Sequence, residues 1–245
     1  MKIKVMEYNI MSGRNYLKWK EVPSWDAPGL IDISLTGQVI KKYSPDIVGL
    51  CEVRNGGNLF TNQTEDIAKI CGYPYYFFSP AIENRGGHYG VAFLSKFPIL
   101  QAGTYLVPDP EDEYVEGISE TRCVACVTVD ANGTKTDVLV SHFGLLEAER
   151  ENAVKLVKSL IEKAENPCIL MGDFNCQPDS IYIKNLEKVI KNTSDGESVL
   201  TFSSIEPTQQ LDYIFADKVF KVNSHGALDE TASDHKPYFA NLELK

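Results

Sequence analysis

Short apolar runs recur along the chain at residues 3–10, 46–53, 75–79, 91–95, 123–129, 137–141, 168–171, 211–215 and 238–244, rich in Val, Ile, Tyr and Phe. Runs of this length and composition predict β-strands. Between them the period changes. Over 147–165 the apolar positions 153, 156, 157, 160, 161 and 164 form one stripe at helical spacing, which predicts a helix. Residues 178–191, with Leu186, Val189 and Ile190, predict a second. Residues 30–42 and 64–70 predict two more, with Pro45 and Gly72 beyond them as exits. Residues 108–117 carry five acidic side chains and predict an exposed loop. Strands interleaved with helices point to the α/β class. No repeat, linker or low-complexity segment interrupts the pattern, so one domain over 1–245 is expected.

Several predicted strands end on a polar residue. The clearest is Cys168-Ile169-Leu170-Met171-Gly172-Asp173-Phe174-Asn175. In an extended chain Asp173 and Asn175 face the same side, which sets a carboxylate and a carboxamide together at the end of a core strand. Asn9, Glu52, His142 and Asp212 close or interrupt other apolar runs, and Asp234-His235 lies near the C-terminus. Any one of these alone is the signature of a strand-end cap or a hydrogen-bonded core residue. Together they matter because a parallel or mixed sheet gathers strand ends on one rim.

Charge and cysteine content narrow the function. Net charge is −10, from 24 basic and 34 acidic residues. That balance disfavours tight, charge-driven binding of nucleic acid. It suits an acidic cluster that gathers a divalent cation. Cys123 and Cys126 have CxxC spacing, but no second pair or nearby His completes a zinc set. Six free thiols in a reducing compartment are expected. With no secretory h-region and no long apolar run, the expectation is a soluble, cytoplasmic chain without membrane insertion. Nothing in the sequence calls for an obligate protein partner. His88 falls in a glycine-rich stretch that would be a loop bordering the rim, and His225 reads as structural or exposed.

Taken in order, the motifs resemble the endonuclease/exonuclease/phosphatase superfamily, whose members look like pancreatic deoxyribonuclease in fold. They are Y-N-I at 8–10, the Glu of C-E-V at 52, Y-G-V-A-F-L-S-K-F-P-I at 89–99, Arg122, S-H-F at 141–143, G-D-F-N at 172–175, L-D-Y-I-F at 211–215 and S-D-H at 233–235. The resemblance implies an α/β (α+β) four-layer sandwich of two mixed sheets flanked by helices. It implies magnesium, with manganese as a substitute, held by Asn9, Glu52 and Asp234. A carboxylate-and-amide set suits such hard cations better than zinc. It implies that Asp173 orients or deprotonates the attacking water and that Asn175 and His142 face a phosphoryl oxygen. His235, oriented by Asp212, would move a proton or stabilise charge, and Arg122 would bind phosphate. The implied activity is hydrolysis of a phosphate ester, with a phosphodiester ahead of a monoester. A nuclease on DNA or RNA is the alternative, and a non-catalytic binding module ranks last. Specificity is expected in loops 12–28, 55–64, 84–88 and 107–119, the first of which holds Trp19 and Trp25.

Overall fold

The computed structural model of the chain describes residues 1–22, 24, 29–84, 86–111 and 119–244. It contains two six-stranded sheets packed face to face. In spatial order the first holds β11 (Phe220–Ala227), β12 (Tyr238–Leu244), β1 (Lys2–Asn9), β2 (Ile47–Gly56), β4 (Gly87–Ser95) and β3 (Tyr75–Asn84). The second holds β5 (Ile99–Leu106), β6 (Cys123–Ala131), β7 (Thr134–His142), β8 (Cys168–Asp173), β10 (Asp212–Ala216) and β9 (Lys191–Asn192). Each sheet has one parallel pair at its centre, β1 with β2 and β7 with β8. The other pairings are antiparallel.

Three apolar layers hold the sandwich together. Between the sheets pack Val5, Ile47 and Phe93 against Val127, Val140 and Met171. The sheets approach closely at Gly49, where an added Cβ would lie 2.6 Å from Met171 Sδ. The outer face of the first sheet, with Met6, Tyr8 and Leu50, is covered by α2 (Ile33–Tyr43) and α3 (Gln63–Cys71). The outer face of the second, with Leu170, Phe174 and Tyr213, is covered by α4 (Glu147–Glu162) and α5 (Ile181–Glu187). The alternation visible along the core strands is therefore apolar on both faces, as expected for sheets covered on both sides. This is the four-layer architecture the motifs implied.

The differences from the sequence expectation are local. Strands β5 and β11 are edge strands; β5 buries none of its residues and β11 only Phe220, so no apolar pattern marks them. A short helix, α1 (Tyr16–Glu21), occupies part of the stretch expected to be a loop. It starts where the Asn15 side chain accepts the Lys18 N–H, and it carries Trp19; Trp25 lies outside the described residues. The expected helix 178–191 is shorter, because Ser180 caps α5 and the chain enters β9 at Lys191. Asp32 caps α2, so that helix begins at Ile33 and not at residue 30. His88 is not in a loop: it is on β4, exposed, paired with Glu83 and Asn55. Part of the acidic loop expected at 108–117 lies outside the described residues. All six cysteines are free. No helix among the described residues is long and apolar enough to cross a membrane.

Candidate active site

Register brings the polar strand ends together. In the parallel pairs Asn9 sits beside Cys51 and His142 beside Asp173, and the antiparallel β10 sets Asp212 opposite Asp173. The chain bends sharply at these ends. β2 carries a bulge between Leu50 and Val53, and Glu52 within it has φ +58°. Met11 and Ser12 after β1, and Asn175 after β8, are also left-handed. A non-glycine residue costs about 1–2 kcal/mol in this conformation. Four of them around one cleft fit the pattern of strain at functional sites, here re-aiming Glu52 and Asn175.

Asp173 is the centre of the hydrogen-bond network. Its Oδ2 accepts the Asn9 amide at 2.9 Å, across the seam between the sheets, and its Oδ1 accepts the Asn175 backbone N–H at 2.9 Å. The same Asn9 nitrogen donates to Glu52 at 3.1 Å, while the Asn9 oxygen accepts the Met11 N–H. Both imidazoles flank Asp173: the Nε2 atoms of His142 and His235 lie 3.5 and 3.6 Å from Oδ2. Asp212 is fully buried and its Oδ2 lies 2.8 Å from His235 Nδ1.

The surroundings push the two histidines in opposite directions. Burial works against a proton on His235, but Asp212, Asp173 and Asp234 outweigh it and hold the imidazole well above its usual range. These acids favour the imidazolium form of His235. His142 is pushed well below its usual range by burial, by Arg122 and by His235, so it is neutral. Arg122 Nη1 lies 2.9 Å from His142 Nδ1, and a guanidinium only donates. That leaves the His142 proton on Nε2. The amide nitrogen of Asn175, which also donates to the Phe143 carbonyl, lies 3.1 Å from that Nε2. Two N–H donors thus converge on one place.

Acidic charge collects at the mouth of the cleft. Burial and then Asp234 raise the half-buried Glu52 to about 7. Burial raises Asp173 to about 6, with His235 opposing and Asp212 adding to the shift. Ligand atoms of Asp173, Asp212 and His235 lie within 4.8 Å of one another. Burial, with neighbouring acids adding to it, disfavours the charged form of both carboxylates. The oxygen donors of Glu52, Asp173 and Asp234 fit a hard divalent cation.

Every sequence-predicted site residue lies in or against this cleft. Arg122 stands behind His142, only 6% exposed, with Nη2 3.0 Å from Glu120. Other contributors were not visible in the motifs. The Phe202 ring lies 4.8 Å from the His235 ring. Glu7 is fully buried near Asp212 and Cys51, and burial followed by Asp212 pushes its carboxyl well above the usual carboxylate range. The signal for Glu7 was its place two residues before Asn9, on the same face of β1.

Known proteins resemble this chain to different degrees. Over 86 residues the chain is 29% identical to protein cwh43 of Schizosaccharomyces pombe, a match covering 34% of this chain and 8% of that protein's length. In fold it is similar to a mannosyl-6-phosphatase from Bacteroides thetaiotaomicron, with TM-score 0.75 and 19% identity over 99% of this chain and 100% of the other. It is likewise similar to the human nocturnin catalytic domain, with TM-score 0.72 and 20% identity over 100% and 94%. The Endonuclease/Exonuclease/phosphatase family matches residues 6–235, from the middle of β1 to the imidazole that Asp212 holds. The chain therefore belongs to that family, whose members are hydrolytic phosphoesterases and generally depend on a divalent metal.

Proposed function

We propose that the protein is a magnesium-dependent hydrolase of phosphate esters, acting on a phosphodiester in preference to a monoester. The observation that carries this reading is the grouping of His142 Nε2 and the Asn175 amide nitrogen, 3.1 Å apart, beside the carboxylate of Asp173. A phosphoryl oxygen seated beside the two nitrogens would accept from both. Such donors, fixed before the reaction, stabilise charge as it develops. Glu52 and Asp234 would hold the cation, which supplies Lewis-acid charge at a phosphoryl oxygen when bound. Asn9 orients the acids through its amide nitrogen. Asp173, between two imidazoles, takes the proton of the attacking water. His235, held by Asp212, stabilises charge on the phosphate or protonates the leaving oxygen. Arg122 acts through His142, fixing its tautomer. The net charge of −10 keeps a nuclease as the second reading only.

Purified protein is expected to hydrolyse bis-p-nitrophenyl phosphate with magnesium or manganese and to stop in EDTA. Absence of metal-dependent turnover on any diester, monoester or oligonucleotide would sink the reading. The variant Glu52→Gln is expected to raise the magnesium concentration needed for half-maximal rate by about tenfold or more. An unchanged magnesium requirement would remove Glu52 from the ligand set.

A second test needs no substrate. Glu52 and Asp173 bind protons more tightly folded than unfolded, from ordinary values of 4.5 and 3.8 up to about 7 and about 6. Between those limits the native state holds more protons than the unfolded one, so without a cation stability falls as pH rises. A divalent cation competes with these protons and offsets the repulsion. Magnesium is therefore expected to raise Tm more at about pH 8 than at about pH 6, by about 2–4 °C for each kcal/mol of added stability. Equal shifts at both pH values would break the link between these acids and the cation.

A further inference from the structure

Among the described residues the arginines cluster in one region. The sequence has five: Arg14, Arg54, Arg85, Arg122 and Arg150. The four among the described residues all lie around the catalytic end. Arg122 is engaged with His142 and Glu120. Arg150 donates from Nε to the carbonyl of Gly144, two residues past His142. Arg14 donates to the carbonyl of Met11, just after β1.

Arg54 is different. It follows Glu52 by two residues on β2, with Tyr89 as its partner across the ladder. Val53 packs under the helices of the outer layer, so Arg54 takes the opposite face, toward the sandwich. Its guanidinium is stacked between two rings, 5.1 Å from the centroid of Phe60 and 4.8 Å from that of Tyr89. Arg14 lies over the same Phe60 ring at 5.3 Å. Tyr89 also lies close enough to Arg122 to feel its charge, which ties this wall to the catalytic cleft. Among the described residues Arg54 has neither a carboxylate partner nor a side-chain hydrogen bond, and its Nε is shielded from solvent without an acceptor. Leaving a buried donor unpaired costs about 1–3 kcal/mol. Stacking fixes the plane of the guanidinium and leaves its N–H edge to be satisfied by a planar or tetrahedral oxyanion.

We propose that Arg54, held between Phe60 and Tyr89, is an anion-binding subsite. It takes a second negatively charged group of the substrate, a phosphate or a carboxylate adjacent to the ester that is cleaved. The substrate class rests on the phosphoesterase reading above, and it becomes narrower: small esters with two anionic groups. It also gives an anionic substrate a cationic contact beside the acidic centre, since Arg14 and Arg54 both lie over the Phe60 ring.

Two measurements test this. In the first, the side-chain Nε–H resonances of the full-length protein with magnesium are followed by NMR while inorganic phosphate or acetate is added. With five arginines the spectrum is sparse, and Arg54→Lys assigns the Arg54 peak. The Arg54 resonance is expected to shift and saturate, more strongly with the preferred anion, while that of Arg150 stays in place. In the second, p-nitrophenyl phosphodiesters with ethyl, carboxymethyl and phosphoethyl arms are compared. A charged arm is expected to lower KM about tenfold in the wild type, the effect of one charge-assisted hydrogen bond. Arg54→Met removes the difference between the arms, and Arg54→Lys, which keeps charge but not the fork, retains a smaller one. An Arg54 resonance indifferent to both anions, or a charged-arm preference that survives Arg54→Met, overturns the proposal. If no arm is hydrolysed, the phosphoesterase reading has failed, and the NMR titration still decides the subsite.

Discussion

Replacing His235 with glutamine is expected to lower kcat by about a hundredfold or more, the usual cost of losing one group that stabilises or moves charge in the transition state. The glutamine keeps a donor for Asp212 and fills much of the same volume. What it lacks is the positive charge that Asp212, Asp173 and Asp234 maintain on the imidazole. Steady-state rates on the best ester, together with thermal unfolding, separate the two contributions. His235→Ala should lose activity as severely and stability as well. It leaves Asp212 fully buried, with Oδ2 newly unpaired beside an Oδ1 that has no partner. Breaking a buried ion pair from one side costs about 3–5 kcal/mol. A glutamine variant with a near-native rate would show that His235 has no part in catalysis.

Gly172→Ala should damage the fold and the site together. A Cβ at residue 172 would lie 1.8 Å from the Ser141 carbonyl oxygen and 2.9 Å from its carbonyl carbon. Those are backbone atoms of the neighbouring strand, so nothing can rotate out of the way. The strands β7 and β8 must part at the pair Ser141–Gly172, directly before His142–Asp173. Overpacking of this kind costs about 3 kcal/mol or more, which corresponds to a Tm lower by about 6–12 °C. Activity at a temperature where the variant is still folded should also fall, since His142 and Asp173 no longer hold their spacing. A variant with native Tm would mean that the two strands are free to separate at no cost.

The catalytic cleft was more legible in the sequence than the sheet edges were. Asn9, Glu52, His142 and Asp173 each interrupt an apolar run, and that contrast marks a residue at the end of a buried strand. Strands β5 and β11 bury little, so their side chains answer to solvent and no period appears. Helix α1 has only six residues and one buried apolar side chain, too few to write a stripe. Glu7 alternates with apolar neighbours as an exposed strand residue would, yet both sheet faces are covered and it is buried beside Asp212. Arg54 and Phe60 gain their meaning from Tyr89, a residue 35 positions after Arg54 that only the ladder brings alongside. Periodicity reports which residues leave water; it does not report which of them meet.

The 2.9 Å hydrogen bond from Asn9 to Asp173 joins residues 164 positions apart and crosses from one sheet to the other. Each sheet contributes its own central parallel pair to that junction. Neither sheet holds a complete set: Asn9 and Glu52 come from one, His142, Asp173 and Asp212 from the other. Hydrolysis is thus a property of the docked whole. A chain that has formed only one sheet, whether during synthesis or after local unfolding, carries half of the chemistry and none of the activity, so damage to the fold silences the enzyme before it can turn over unselected esters.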